Sequence, residues 1–348
     1  MAFCMGHIRG IRYDTVSAWF DNHVAGVTLP LRFELIAGGH SNLTFKVTGA
    51  DGQTYVLRRP PLHQVLSTAH DMSREHNIIA ALAGTDVPVP RTYGLCLDEA
   101  VNERPFYVMD FVKGRVVRNR NEAAGFTPEL CRAASHSVVD TLARIHAVDV
   151  DQVGLGDLGP KEGYISRQLR RWLGQFEKSR TRERPEIRAV HDHLVDRIPE
   201  QGAAGIVHGD YRLDNCILSD EGRILAVLDW ELCTLGDRNA DVAQLLVYWA
   251  EAGDDDFALD NPPTTAPGFA GRAEMLDRYR EASGRSLDDI DFYIAFAYWK
   301  LACILEGVYS RYMNGAMGDK APPQGAESFA ARVDALTRMA CTATERAV

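Results

Sequence analysis

Three side chains stand at spacings that could serve phosphoryl transfer. Asp210 follows His208 and Gly209, Asn215 comes five positions later, and a second apolar run, Ile224 to Leu228, delivers Asp229. Moving a phosphoryl group asks little covalent work of a protein. The site must aim an acceptor hydroxyl in line and neutralise phosphate charge. Asp210 is the candidate base for the hydroxyl proton. Magnesium is a hard ion that prefers oxygen and leaves part of its shell to phosphates, which suits one amide oxygen, Asn215, and one carboxylate, Asp229. His208 is read as orienting the loop rather than touching substrate.

A His-Gly-Asp or Asp-Trp step alone is usually a turn or a strand end, so the weight lies on their joint occurrence and order. The rival is a hydrolytic metal site on His208 and Asp210, because His-x-Asp spacing also serves zinc or iron. The neighbourhood offers neither a second histidine pair nor a Cys-x-x-Cys to complete one. Base, metal ligand, metal ligand is the order of the catalytic and metal-binding segments of kinases.

Over most of residues 30 to 315 the chain resembles the aminoglycoside phosphotransferase family. Within that family it is most similar to the kinase domains related to those fused to acyl-CoA dehydrogenases. The closer likeness rests on Phe33 to Phe45, on Tyr55 to Pro61, and on Asp229 to Asp237. The resemblance implies an α+β, protein-kinase-like bilobal fold. A small antiparallel sheet with one main helix would form a nucleotide-binding lobe at 1–112, and a larger helical lobe at 113–348 would hold the catalytic and acceptor-binding parts. It also implies ATP as phosphoryl donor, Mg2+ as metal and a small-molecule hydroxyl as acceptor.

The elements needed to position such a site are legible upstream. Phe33 to Ala37 and Leu43 to Thr48 read as strands around Gly38, Gly39, His40, Ser41 and Asn42, and Asp51-Gly52 marks the next hairpin. Glycines let backbone approach phosphates, and Ser41 and Asn42 can add donors; a bare Gly-Gly is otherwise a simple turn. Arg58 occupies the place of a kinase's strand lysine. Arginine stays charged and can bind phosphate in a fork, but it is bulkier and no automatic replacement. Strand alternation turns its neighbour Arg59 to the other face. Ser67 to Leu82 has helical apolar spacing, and the family order pairs Glu75 within it with Arg58. Arg104 to Val112 reads as a strand pair ending at the lobe connection, where backbone groups from Met109 to Phe111 would bind adenine.

The composition sets outer bounds. A chain of 348 residues with 46% hydrophobic and 25% charged residues can bury an ample core. A net charge of −10 argues against nonspecific binding to nucleic acid or an anionic membrane. Seven scattered cysteines suggest a reducing compartment, with Cys216 and Cys233 read as buried packing. No run is read as long enough to span a membrane, and Met1 to Arg12 lacks a signal-peptide core, so a cytoplasmic protein is expected. The oligomeric state stays open.

Downstream the pattern turns helical: Pro128 to Val148 with Thr127 as N-cap, Tyr164 to Lys178, Glu186 to Ile198, Asn239 to Trp249 and Asp291 to Asn314, with a surface loop from Asp254 to Gly271. By the resemblance Asp241 braces the catalytic loop, while Asp237 reads as a local cap. Acceptor identity is expected near Trp249 and the last long helix. Its Tyr298, Trp299, Glu306, Tyr309, Arg311 and Tyr312 could line a pocket, although aromatic stripes at helical spacing are more often core. The resemblance to the acyl-CoA-dehydrogenase-linked domains implies a hydroxyacyl-CoA or related metabolite as the favoured acceptor, and the broader family implies the alternative, an aminoglycoside in a 3′-type transfer. The strand arginine also leaves a nucleotide-binding pseudokinase to be weighed. A protein kinase is disfavoured because no Ala-Pro-Glu segment follows Asp229.

Overall fold

The computed structural model describes residues 8–37, 42–62, 71–254, 259–315, 325 and 327–346. In chain order the elements are α1 (Tyr13–His23), β1 (Arg32–Ala37), β2 (Leu43–Thr48), β3 (Thr54–Arg59), α2 (Met72–Leu82), β4 (Thr92–Cys96), α3 (Glu99–Asn102), β5 (Phe106–Asp110), α4 (Arg120–Ala123), α5 (Pro128–Ala147), α6 (Tyr164–Ser179) and α7 (Pro185–Val195). They continue with β6 (Gly205–Val207), β7 (Cys216–Leu218), β8 (Ile224–Val227), β9 (Thr234–Gly236), α8 (Asn239–Tyr248), α9 (Arg272–Ser283), α10 (Ile290–Met313) and α11 (Glu327–Thr344). The chain divides into two compact units, one of Met1–Gly114 with Leu225–Glu231, the other of Arg115–Ile224 with Leu232–Val348.

The first unit is a five-stranded antiparallel sheet in the order β1-β2-β3-β5-β4 with α2 packed on it. Alternation along β2 sends Leu43, Phe45 and Val47 inward, where they meet Phe33, Leu57, Phe106 and Val108. The helix α1, which sequence reasoning missed, adds Val16, Trp19 and Phe20 to this core. The helix forecast from Ser67 is seen from Met72, where Asp71 caps it by accepting from the Ser73 and Arg74 N–H groups at 2.9 and 3.1 Å; residues 63–70 lie outside the described set. Within Arg104 to Val112 a single strand forms, β5 at Phe106–Asp110, rather than a pair. Its partners are β3 and β4, and Arg104 and Pro105 precede the ladder.

The second unit is built on helices. Thr127 caps α5 by accepting from the Leu130 N–H at 3.2 Å, as the sequence implies. The 24-residue α10 packs against α6, α7, α8 and α11. By length and composition α10 is apolar enough to cross a membrane, contrary to the sequence expectation that no run reaches that size. It is apolar because it is surrounded: Phe292, Phe296, Trp299, Leu301 and Cys303 are all buried. Cys216 and Cys233 are buried as well.

Candidate active site

In the sheet unit, Arg58 is the hub. Its Nε lies 3.0 Å from Glu75 Oε2, and its Nη2 lies 2.6 Å from Asp229 Oδ1 and 3.7 Å from Glu231 Oε2. Glu75 is buried in the first turn of α2 on the face that also buries Ile78, Ile79 and Leu82. Arg59 points the other way, donating to the carbonyls of Gly10 and Pro60. Burial opposes the charge on Arg58, but Glu75, Asp229 and Glu231 outweigh it and hold the guanidinium protonated more firmly than usual. Burial pushes Glu75 above the ordinary carboxyl range, and Asp229 adds to that, even though Arg58 pulls the other way.

Asp229 holds a left-handed backbone, φ 66°, an uncommon state for a residue with a side chain. The turn that enforces it is locked by Trp230, buried, whose Nε1 donates to the Val227 carbonyl at 3.0 Å. Asn42, also buried, donates from Nδ2 to Glu231 Oε2 at 3.2 Å. Glu231 was not singled out from the sequence; its adjacency to Asp229 was the only signal. Gly38, Gly39 and Ser41 lie outside the described residues. Met109 pairs with Val56 on one side and Thr92 on the other, and Asp110 N–H donates to the Arg91 carbonyl at 2.8 Å, so the strand ladder ends just before Phe111.

In the helical unit, Asp210 and Asn215 are joined. Asn215 Nδ2 donates to the Asp210 carbonyl at 2.8 Å and to its Oδ2 at 3.0 Å, which orients the amide oxygen of Asn215 away from Asp210. The Asp210 N–H donates to His208 Nδ1 at 3.3 Å, the orienting part expected of that histidine. Gly209 has φ 85°, and a Cβ there would stand 3.0 Å from the Leu232 carbonyl oxygen, so glycine is needed just before Asp210.

Asp241, at the start of α8, accepts from the His208 and Gly209 N–H groups at 2.5 and 2.9 Å. Burial resists its ionisation, but His146, His208 and the Gly209 N–H outweigh that and keep the carboxyl below its ordinary range. His146 is buried between Tyr279 Oη at 2.7 Å and Asp241 Oδ2 at 3.5 Å, and burial lowers its basicity. Asp237 accepts from Asn239 N–H at 3.1 Å, a local cap, and from the Tyr293 hydroxyl at 2.5 Å.

A cavity of about 230 Å3 in this unit is lined by Arg118, Arg212, Asp214, Tyr248, Trp249 and Arg332, with Leu245, Leu301 and Leu305 among its apolar wall. Arg212 connects it to Asp210: Nε lies 3.4 Å from Asp210 Oδ1, Nη2 lies 3.1 Å from Asp214 Oδ2, and the guanidinium rests 4.9 Å over the Tyr248 ring. Burial raises the Asp214 carboxyl, and Asp210 adds to it against the pull of Arg212. Of the expected acceptor region, Trp249 lines this cavity. Tyr298, Trp299 and Glu306 are instead core residues, because α10 turns that face inward. Arg212 lies within the same sequence motif as Asp210, so its place could have been anticipated from the loop.

The chain matches the phosphotransferase enzyme family over residues 32–280. Acyl-CoA dehydrogenase family member 10 of Mus musculus is 35% identical over 295 residues, covering 83% of this chain and 27% of that protein. The chain thus spans well under half the length of that relative. A crystal structure of a Ralstonia eutropha JMP134 protein, provisionally named an aminoglycoside phosphotransferase, is 35% identical with a TM-score of 0.81, covering 95% of this chain and 98% of that one. At the level of fold, the streptomycin–ATP complex of APH(2″)-IIa superposes with a TM-score of 0.59 at 14% identity, covering 96% and 98% of the two chains. The architecture is accordingly protein-kinase-like and α+β, and the chain belongs to the phosphotransferase enzyme family.

Proposed function

We propose that the protein moves the γ-phosphoryl group of Mg-ATP to the hydroxyl of a hydroxyacyl-CoA or a related anionic metabolite. In this reading residues 1–112 bind nucleotide and residues 113–348 bind the acceptor. Asp210 takes the hydroxyl proton, Asn215 and Asp229 are the magnesium ligands, and Arg58, held by Glu75, meets phosphate. Gly38, Gly39, Ser41 and Asn42 approach the phosphates, and backbone from Met109 to Phe111 takes adenine.

The donor chemistry suits magnesium. Asn215 commits its NH2 to Asp210 and offers an amide oxygen, and Asp229, with Oδ1 on Arg58, offers Oδ2. Among the described residues no group of three or more His, Cys, Asp or Glu is arranged to hold a metal. Magnesium asks for no such cage, since phosphate and water fill most of its shell. Bound there, it would neutralise charge on the phosphates.

Arg212 is the observation that carries the acceptor reading. It touches Asp210 and lines a cavity that holds Arg118 and Arg332 as well. The lining carboxylates Asp214 and Asp260 are already paired, with Arg212 and Arg332 respectively. With Arg118, Arg212 and Arg332 against Asp214 and Asp260 on an otherwise largely apolar wall, the excess of positive charge favours an acceptor with an acyl part and negative charge over a polycationic aminoglycoside. The cavity has room for the hydroxyl-bearing part of such a molecule.

The test is ADP release from Mg-ATP by wild type and Asp210→Asn across hydroxyacyl-CoAs, neutral alcohols and aminoglycosides, with mass detection of the phosphorylated product. Acceptor-dependent release with hydroxyacyl-CoAs, lost in the variant, is expected. Turnover confined to aminoglycosides would overturn the acceptor assignment. Nucleotide binding without transfer to any acceptor would favour a pseudokinase.

A further inference from the structure

Lys300 is a buried cation that the roles assigned above leave unused. It sits mid-way along α10, and its ammonium donates to Gln244 Oε1 on α8 at 3.1 Å and to the Gly209 carbonyl at 3.5 Å. A buried ammonium is costly unless its N–H groups and charge are answered. The charged groups that bear on it are Asp241 and Asp210, both favourable, and Arg171 of α6, unfavourable; burial lowers its basicity.

Around Gly209 and Asp210 each backbone group is met within the helical unit. The Gly209 N–H goes to Asp241 and the Gly209 carbonyl faces Lys300. The Asp210 N–H goes to His208, and the Asp210 carbonyl accepts from Asn215. Asp241 and Lys300 therefore grip Gly209 with opposite charges, the anion on its donor and the cation on its acceptor. Gly209 adopts φ 85° and has Leu232 beside it, so it cannot be fixed by a side chain of its own. We propose that Lys300 is a positioning residue for Asp210, the cationic half of a clamp on Gly209 whose anionic half is Asp241. This rests on the kinase reading for its catalytic consequence but not for the clamp itself.

The experiment compares Lys300→Met, Lys300→Arg and Gln244→Glu with wild type in the full chain, by two independent readouts. Hydrogen exchange of the peptide spanning His208 to Leu213 reads the clamp without any acceptor. It should be faster in Lys300→Met and close to wild type in Lys300→Arg. Steady-state kinetics with Mg-ATP and a hydroxyacyl-CoA should show kcat down about 10- to 100-fold in Lys300→Met, as expected for a displaced base, with both KM values little changed. Lys300→Arg should recover most of kcat. Gln244→Glu offers the ammonium a carboxylate and draws it from Gly209, so it should lower kcat in a chain that folds normally. Unaltered exchange in Lys300→Met, or an arginine variant no better than methionine, overturns the proposal. Faster exchange in a wild-type background that transfers phosphate to nothing upholds the clamp and instead sinks the proposed function.

Discussion

Arg58 and Asp229 meet at 2.6 Å although 171 positions separate them in the chain. The same guanidinium reaches Glu75 through a different nitrogen, Nε. A lysine ammonium is a point charge and could not present two donors in a fixed fork to two carboxylates. That geometry gives a physical reason for arginine where a kinase strand usually has lysine.

Replacing Arg58 should therefore injure both folding and nucleotide binding. Arg58→Ala leaves Glu75 buried without its ion pair, at a cost of about 3 kcal/mol. Arg58→Lys should keep the Glu75 pair, lose the fork to Asp229, and bind nucleotide more weakly than wild type but better than the alanine variant. Denaturant midpoints together with nucleotide titration check both. Equal nucleotide affinity in all three proteins would remove Arg58 from the phosphate site.

Asp210→Asn should separate binding from chemistry. The amide cannot accept the hydroxyl proton, so kcat should fall about 1,000-fold, within the range for a lost general base. Asn215 holds this residue partly through its main-chain carbonyl, which the substitution leaves in place. Nucleotide affinity measured by calorimetry should stay within about twofold.

Asp241 offers one carboxylate oxygen to each of two buried N–H groups. Asparagine has a single acceptor oxygen, so Asp241→Asn turns an NH2 toward one of them and should cost about 2 kcal/mol. The loss should fall on kcat more than on KM, because what is disturbed is the backbone just before Asp210. Thermal unfolding and saturation kinetics on the same preparation test the two parts.

Acid should destabilise the helical unit through His146. Burial sets its folded pKa below the ordinary 6.5, so the unfolded chain binds the extra proton first. Its contribution is intact above pH 6.5 and is lost as pH falls toward the folded value, by up to about 1.4 kcal/mol per pH unit. His146→Gln should be less stable than wild type at pH 7.5 yet lose less on moving to pH 5.5. Chemical denaturation at the two pH values decides it, and parallel losses in both proteins would remove His146 as the titrating group.

Local spacing was enough to single out Asp210, Asn215 and Asp229 as candidates, because a turn between two apolar runs determines which residues stand at strand ends. The same reasoning found α5 with its Thr127 cap and most of α2, where helical periodicity and capping chemistry act within a few residues. Three things escaped it. The helix α1 and the terminal α11 have apolar faces that make sense only against partners far away in sequence. The aromatic side chains of α10 could equally have lined a pocket, until burial among neighbouring helices made Tyr298 and Trp299 core.

The third is the assembly of charges. That an arginine and a glutamate occur at 58 and 75 is a sequence fact, but nothing local says that Glu231 completes their cluster or that Asn42 reaches it. Likewise no pattern near Asp210 announces Lys300. The sequence alone determined the family order of motifs and the candidate side chains within it, since motif order follows from residue types and spacing. Tertiary structure decided which charges are buried together, because desolvation and Coulomb energy depend on distance through space and on exclusion of water, neither of which is written along the chain.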